Sequence, residues 1–158
     1  MGNKEILIER VLNANMKNVF RAWTDPEKLI KWYAPVGCTI HFSKINIKTG
    51  GSFHSCISNP SFGDCWCIGE YKEVTPDSKI VFTMVNADEK GNPINPADIG
   101  MDPDWPRETL VTITFSEENG KTKLQLHQNA SEELAKKTGA YPSWLQMLDN
   151  MQSFLNQN

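Results

Sequence analysis

The hydrophobic pattern divides the chain into a strand, two short helices, a run of strands and a final helix. Over residues 4–12, Ile6, Ile8 and, after a break in the alternation, Val11 and Leu12 supply the apolar and β-branched content of a strand. Asn13 or Asn15 can cap a helix whose apolar cluster is Val19, Phe20 and Trp23. A second helix restarts at Thr24-Asp25-Pro26-Glu27, where the missing N–H of Pro26 is harmless. Leu29, Ile30 and Trp32 or Tyr33 form its buried stripe, and Pro35 ends it. Strands are then predicted over 39–47, 52–57, 65–74, 79–85, 108–115 and 121–128, separated by Gly-, Pro- and Asn-rich turns. Consecutive strands on short turns imply an antiparallel meander. The C-terminus reads as one long helix, beginning near Ser131-Glu132-Glu133 or restarting after Pro142. Trp144, Leu148, Met151 and Leu155 recur at helical spacing along it, with Met147 and Phe154 beside them. One apolar sheet face and one apolar helix stripe must cover each other, which predicts an α+β architecture.

One segment stands outside this pattern. Residues 87–107 hold Pro93, Pro96, Pro103 and Pro106 with five acidic side chains, and they end near Trp105. Loops longer than about 12–15 residues are often lids or binding loops, although a solvated insertion fits as well. Trp105 favours a lid, because an aromatic at the end of a polar loop usually finds something to cover.

The length of 158 residues fits a single domain spanning 1–158. A formal net charge of −3 offers no electrostatic basis for nucleic-acid or acidic-membrane binding. No apolar run approaches the roughly 18 residues of a membrane span. Glu5 and Glu9 interrupt the N-terminal apolar stretch, so it does not read as a signal peptide, and Ile6 after Gly2 does not match an acylation signal. A cytoplasmic protein with reduced thiols is expected. Cys65-x-Cys67 is one residue short of a zinc or redox spacing and puts both thiols on one strand face, as buried packing does.

Several motifs, in order, resemble one family. Phe20-Arg21-Ala22-Trp23-Thr24-Asp25-Pro26-Glu27-Lys28-Leu29 with Trp32 is similar to the AWTDPE signature of the START-like (SRPBCC) superfamily, in the branch of the heat-shock protein 90 ATPase activator C-terminal domain. Gly50-Gly51-Ser52-Phe53, then Gly69-Glu70-Tyr71-Lys72-Glu73-Val74-Thr75-Pro76 with Ile80-Val81-Phe82-Thr83, then Val111-Thr112-Ile113-Thr114-Phe115, and finally Trp144 with Leu148-Asp149 resemble its later motifs. The resemblance implies a helix-grip fold: a curved seven-stranded antiparallel sheet around a long C-terminal helix, with two short helices after the first strand. Ser143 departs from the family's usual Gly before Trp144, and the 87–107 loop is longer than the usual connection.

Members of this superfamily enclose an apolar cavity, so the resemblance implies a small apolar molecule as partner. Strand alternation aims Phe53, Ser55 and Ile57, Phe82 and Met84, and Val111, Ile113 and Phe115 at the helix, and Tyr71 joins them. The candidate ligand-binding residues are Trp32, Phe53, Ser55, Tyr71, Met84, Trp105, Trp144, Met147, Leu148 and Met151, with Gln128 as a further polar group. The bland alternative is that these residues simply fill a core.

No catalytic residue, metal ligand or cofactor is expected. Pairing residue 41 near 58 sets His41 and His54 roughly 13 Å apart, at about 3.3 Å per residue, too far to share a metal. His54 and His127 fall on the solvent side of their strands, and Glu70 and Glu73 have opposite parity. No phosphate-binding, dinucleotide, nucleophile-elbow or zincin motif is present. Two readings compete with ligand binding: a cyclase or hydrolase acting on an apolar aromatic substrate, with Tyr71 as its one suitable group, and a protein-interaction, chaperone-associated module.

Overall fold

The computed structural model describes residues 4–61, 63–99 and 102–157. Gly2, Phe62 of the predicted 59–64 turn and Gly100 of the 87–107 loop lie outside them. The elements run β1 (Glu5–Leu12), α1 (Met16–Thr24), α2 (Pro26–Leu29), β2 (Thr39–Ile45), β3 (Ser52–Asn59), β4 (Gly63–Thr75), β5 (Lys79–Ala87), a short 3-10 turn (Pro96–Ile99), β6 (Glu108–Glu118), β7 (Lys121–Ser131), α3 (Glu132–Thr138) and α4 (Ala140–Asn156). The strands form one antiparallel sheet in the order β1-β7-β6-β5-β4-β3-β2. β2 to β7 are the expected meander, and β1 joins the far edge beside β7.

Local chemistry places most boundaries. Asn15 caps α1 by accepting from the Asn18 amide at 2.8 Å, and Asp25 caps α2 by accepting from the Glu27 amide at 3.0 Å. Asn119 and Gly120 both have positive φ, 51° and 79°, as a tight Asn-Gly hairpin between β6 and β7 requires. The inner sheet face and α4 share the core. Ile6, Ile8, Leu12, Val111, Ile113, Leu124 and Leu126 meet Trp144, Leu148 and Met151, all of them buried.

The structure corrects several local expectations. In β1 the alternation does not break: Leu12 keeps the inward parity of Ile6 and Ile8, and Val11 points out, 52% exposed. α2 is a single turn, and Ile30 is exposed while both Trp32 and Tyr33 are buried. The C-terminal helix is two helices. Gly139 at φ 90° ends α3, and α4 restarts before Pro142, which sits harmlessly in its first turn. The β2–β3 connection is longer than the Lys48–Gly51 turn, because Gly50 and Gly51 exchange backbone hydrogen bonds with Tyr71 of β4. With a bulge between Phe42 and Lys44, His41 therefore pairs with Cys56.

At Gly69 β4 lies tightly against its neighbours. A Cβ there would run into the Thr83 carbonyl oxygen and the Phe53 ring, which lies across the glycine from β3. Gly69→Ala is expected to lower stability by about 1–3 kcal/mol, the usual range for overpacking. An unchanged urea midpoint would show that β4 can shift here without loss.

Candidate functional site

Between the inner faces of β3 to β7 and the first turns of α4 the packing leaves a cavity of about 190 Å³. Phe53, Ser55 and Ile57 come from β3, Cys65 and Cys67 from β4, and Met84 from β5. Thr109 and Gln128 come from β6 and β7, Ser143, Trp144 and Met147 from α4, and Tyr33 from the turn after α2. Trp105, 8% exposed, closes one side. No Asp, Glu, Lys, Arg or His is among the described residues that line it.

The structure brings Phe53, Ser55, Met84, Trp105, Trp144 and Met147 of the sequence-derived set to this cavity. Trp32, Leu148 and Met151 lie in the core away from it, each no more than 1% exposed. The Trp32 indole N–H donates to the Ala22 carbonyl at 2.9 Å, which ties the turn after α2 to α1. Tyr71 packs against Phe53 and Phe82, with ring centroids 5.8 Å away in each case, and borders a separate void of about 10 Å³. That void is about the size of one water. It also touches Trp23, whose indole N–H has no hydrogen-bond partner among the described residues.

Sequence reasoning left Tyr33, Cys65, Cys67, Thr109 and Ser143 out of the set. The thiols and Thr109 could have been found by extending the strand alternation one step further. Tyr33 could not, because it follows a helix too short to carry a period.

Three polar side chains at the cavity form a buried chain of hydrogen bonds. Trp144 Nε1 donates to Gln128 Oε1 at 2.8 Å, and Gln128 Nε2 donates to Thr109 Oγ1 at 2.8 Å. Gln128 and Thr109 are 3% and 2% exposed. Ser55 Oγ donates to the Cys67 carbonyl at 3.4 Å. The ionisable groups on the wall are held neutral. Burial pushes the Cys67 thiol up to about 12. Tyr33 is pushed well above its usual value by burial first, then by the nearness of Cys67 and Tyr71. Cys65 stands at the rim with solvent access, yet the protein packed around its sulfur still raises it. Tyr71 is likewise raised by burial.

The 87–107 segment has local order at both ends. Asp88 accepts from the backbone amides of Lys90 and Asn92 at 2.9 Å each, and Ala87 bridges to Pro93. The Trp105 amide donates to the Asp102 carbonyl at 2.9 Å, which helps set its indole at the cavity wall. A more open cleft of about 600 Å³ shares Ile57, Cys65 and Ser143 with the cavity and runs out past Val36, which is 71% exposed.

The outer sheet face holds the remaining candidates. His41 and His54 stand closer than the 13 Å expected from pairing residue 41 near 58. The register places both rings against Trp66, at centroid distances of 5.5 and 4.8 Å. His54 is half-buried, with Nε2 3.0 Å from the Asp88 carbonyl oxygen, and His127 Nε2 lies 2.8 Å from Glu5 Oε1. A bulge between Tyr71 and Glu73 also reverses a parity expectation, since Glu70 and Glu73 now share the outer face. Each has a lysine partner, Lys72 at 2.9 Å and Lys79 at 3.8 Å. Among the described residues no group of His, Cys, Asp and Glu could hold a metal ion. No helix of the described residues is long and apolar enough to cross a membrane.

A curved antiparallel sheet gripping one long helix, with a cavity between them, defines a START-like helix-grip protein. The family described as Activator of Hsp90 ATPase homolog 1-like protein matches residues 13–156, and the chain belongs to it. A Staphylococcus epidermidis protein has a similar structure at TM-score 0.80 and 24% identity, covering 99% of this chain and 92% of its own. A Chromobacterium violaceum protein reaches 0.78 at 23% identity, with 95% of each chain covered. The AHSA1 protein of Silicibacter pomeroyi reaches 0.77 at 17% identity, covering 98% of this chain and 99% of its own. At these identities the likeness is one of fold. No curated protein matches the sequence.

The raised thiol gives a pH dependence of known sign. Above the ordinary value of 9.0 the unfolded chain loses the Cys67 proton while the folded protein keeps it up to about 12. Stability is therefore full below pH 9 and falls as pH rises toward 12, by at most about 1.4 kcal/mol per pH unit for this group. Cys67→Ala should reduce the loss between pH 8 and 10 without abolishing it, because Cys65 is raised too. Equal slopes for both proteins in urea titrations would contradict this.

Proposed function

We propose that residues 1–158 form a single START-like domain that binds a small apolar molecule between the sheet and α4, as a cytoplasmic binding protein. The observation that carries this reading is the cavity of about 190 Å³ whose described lining contains no charged side chain. Its walls are aromatic rings, methionines, thiols and a few hydrogen-bonding groups, the composition that suits an apolar ligand with some polar functionality. The adjoining cleft past Cys65 and Ser143 supports it as well, since it offers a way in.

The cyclase or hydrolase reading has weaker support. Acid–base catalysis near neutral pH favours a group with a pKa close to 7. The raised groups on this wall, Tyr33, Cys65 and Cys67, move away from that value. The interaction-module reading would draw on a contiguous apolar surface. Among the described residues the exposed large hydrophobic side chains, Leu7, Val11, Ile30 and Val36, are spread over β1, the end of α2 and the following turn.

A thermal-shift panel of small apolar compounds tests the reading. A ligand at 100 times its Kd stabilises the fold by about 2.7 kcal/mol. For a domain of this size that is a rise of roughly 5–11 °C. Met147→Trp, which fills the cavity from α4, should remove the shift while leaving a folded protein. A compound that shifts the wild type and this variant equally binds elsewhere, and that result would count against the cavity.

A further inference from the structure

Gln128 has one amide hydrogen that the protein itself uses poorly. The Trp144 indole can only donate, so its 2.8 Å bond requires Oε1 of Gln128 on that side and turns the NH2 group the other way. One of the two N–H groups goes to Thr109 Oγ1 at 2.8 Å. The other meets Met84 Sδ at 3.9 Å, and a thioether is a weak acceptor on a flexible side chain. Gln128 is 3% exposed, and Met84 and Thr109 border the same cavity. A buried primary amide thus borders the void with a donor whose second partner is a flexible thioether.

The rest of the wall limits what can accept that hydrogen. A carboxylate ligand would be buried with no cation among the described lining residues, and an ammonium ligand with no anion. Unpaired burial of either is strongly unfavourable. At about 190 Å³ the void is also smaller than the ~300–1,000 Å³ of drug-sized sites, which suits one or two fused rings.

We propose that the cavity selects a neutral compound with a carbonyl-type acceptor, such as a ketone, lactone or amide on a small ring body, and that Gln128 Nε2 is the group that selects it. This rests on the apolar-ligand reading above and narrows it. The ligand's carbonyl replaces Met84 Sδ as the partner of the second N–H, and the Trp144–Gln128–Thr109 chain holds the amide in place to receive it.

Calorimetric titration of the protein with tetralone, tetralin and tetralin carboxylate at neutral pH separates the claims. Tetralone should bind roughly five-fold or more tighter than tetralin, the usual yield of one net hydrogen bond, and the carboxylate should bind weakest. Gln128→Met should abolish the preference for tetralone over tetralin. Because that change also removes the acceptor for Trp144, Met84→Leu is the second variant. It conserves volume, removes the sulfur that competes for the N–H, and should widen the preference for tetralone. Equal binding of tetralone and tetralin to the wild type would overturn the carbonyl assignment and leave the apolar-ligand reading standing. Tight binding of the carboxylate would overturn neutrality. If none of the three binds, the apolar site fails and this inference fails with it.

Discussion

A seven-stranded sheet with one apolar face and a single 17-residue helix to cover it has to curl. A helix of that length spans only about 25 Å, and a flat sheet would leave several strands uncovered. The β-bulges in β2 and β4 are features that let strands bend and twist, and at Gly69 the backbone of β5 and the Phe53 ring come too close for any side chain. α1 and α2 then close one end through the Trp23, Trp32 and Tyr33 ring cluster, with centroids 4.7 to 6.1 Å apart, and Tyr33 passes the contact on to Trp144 at 6.0 Å. The cavity follows from this geometry. Near β1, β6 and β7 large aliphatic side chains fill the space under the helix. Toward β3 to β5 the inward positions include Ser55 and Cys67, and α4 opposes them with Ser143.

The chemistry of that cavity is set as much by what is kept from ionising as by what is present. Cys67 and Tyr33 sit in a low-dielectric pocket with no cation on its described wall, so both stay protonated and neutral. Three of the polar side chains on the wall, Trp144, Gln128 and Thr109, are joined in a chain of neutral hydrogen bonds. Such a chain orients its members more firmly than isolated contacts would. It gives an otherwise apolar site one direction along which a polar ligand group is favoured. The charged side chains lie elsewhere, in exposed pairs such as Lys72–Glu70 and Lys123–Glu9 on the sheet, where solvent leaves them little influence on stability.

Much of this was legible in the chain. Alternation in 108–115 and 121–128 and the spacing of Trp144, Leu148, Met151 and Leu155 identified the two faces that meet, because burial acts on every second or every third-to-fourth residue and leaves a period behind. Asn15, one of two candidate caps, and Asp25, within the Thr24-Asp25-Pro26-Glu27 restart, were legible because a cap acts on the backbone beside it. Even the inward aim of Cys65 and Cys67 was readable from strand parity. Some errors were local, as at Val11, Ile30 and Gly139, and others fell where one element responds to another. Gly50 and Gly51 bond to Tyr71, which shifted the β2–β3 register and brought His41 and His54 onto one indole. The bulge after Tyr71 turned Glu70 and Glu73 to the same face.

The sequence by itself determined the order of strands and helices and most of their apolar faces, since those follow from local sterics and periodicity. Only the tertiary structure decided which inward residues border a void and which are sealed in the core. Trp32, Leu148 and Met151 have the same pattern signature as Phe53, Trp144 and Met147, yet the first group is packed on all sides and the second faces open space. The difference depends on how far the curled sheet stands from α4 at each point. That distance is a property of bulges, long-range backbone bonds and ring contacts across the fold, and no short stretch of sequence encodes it.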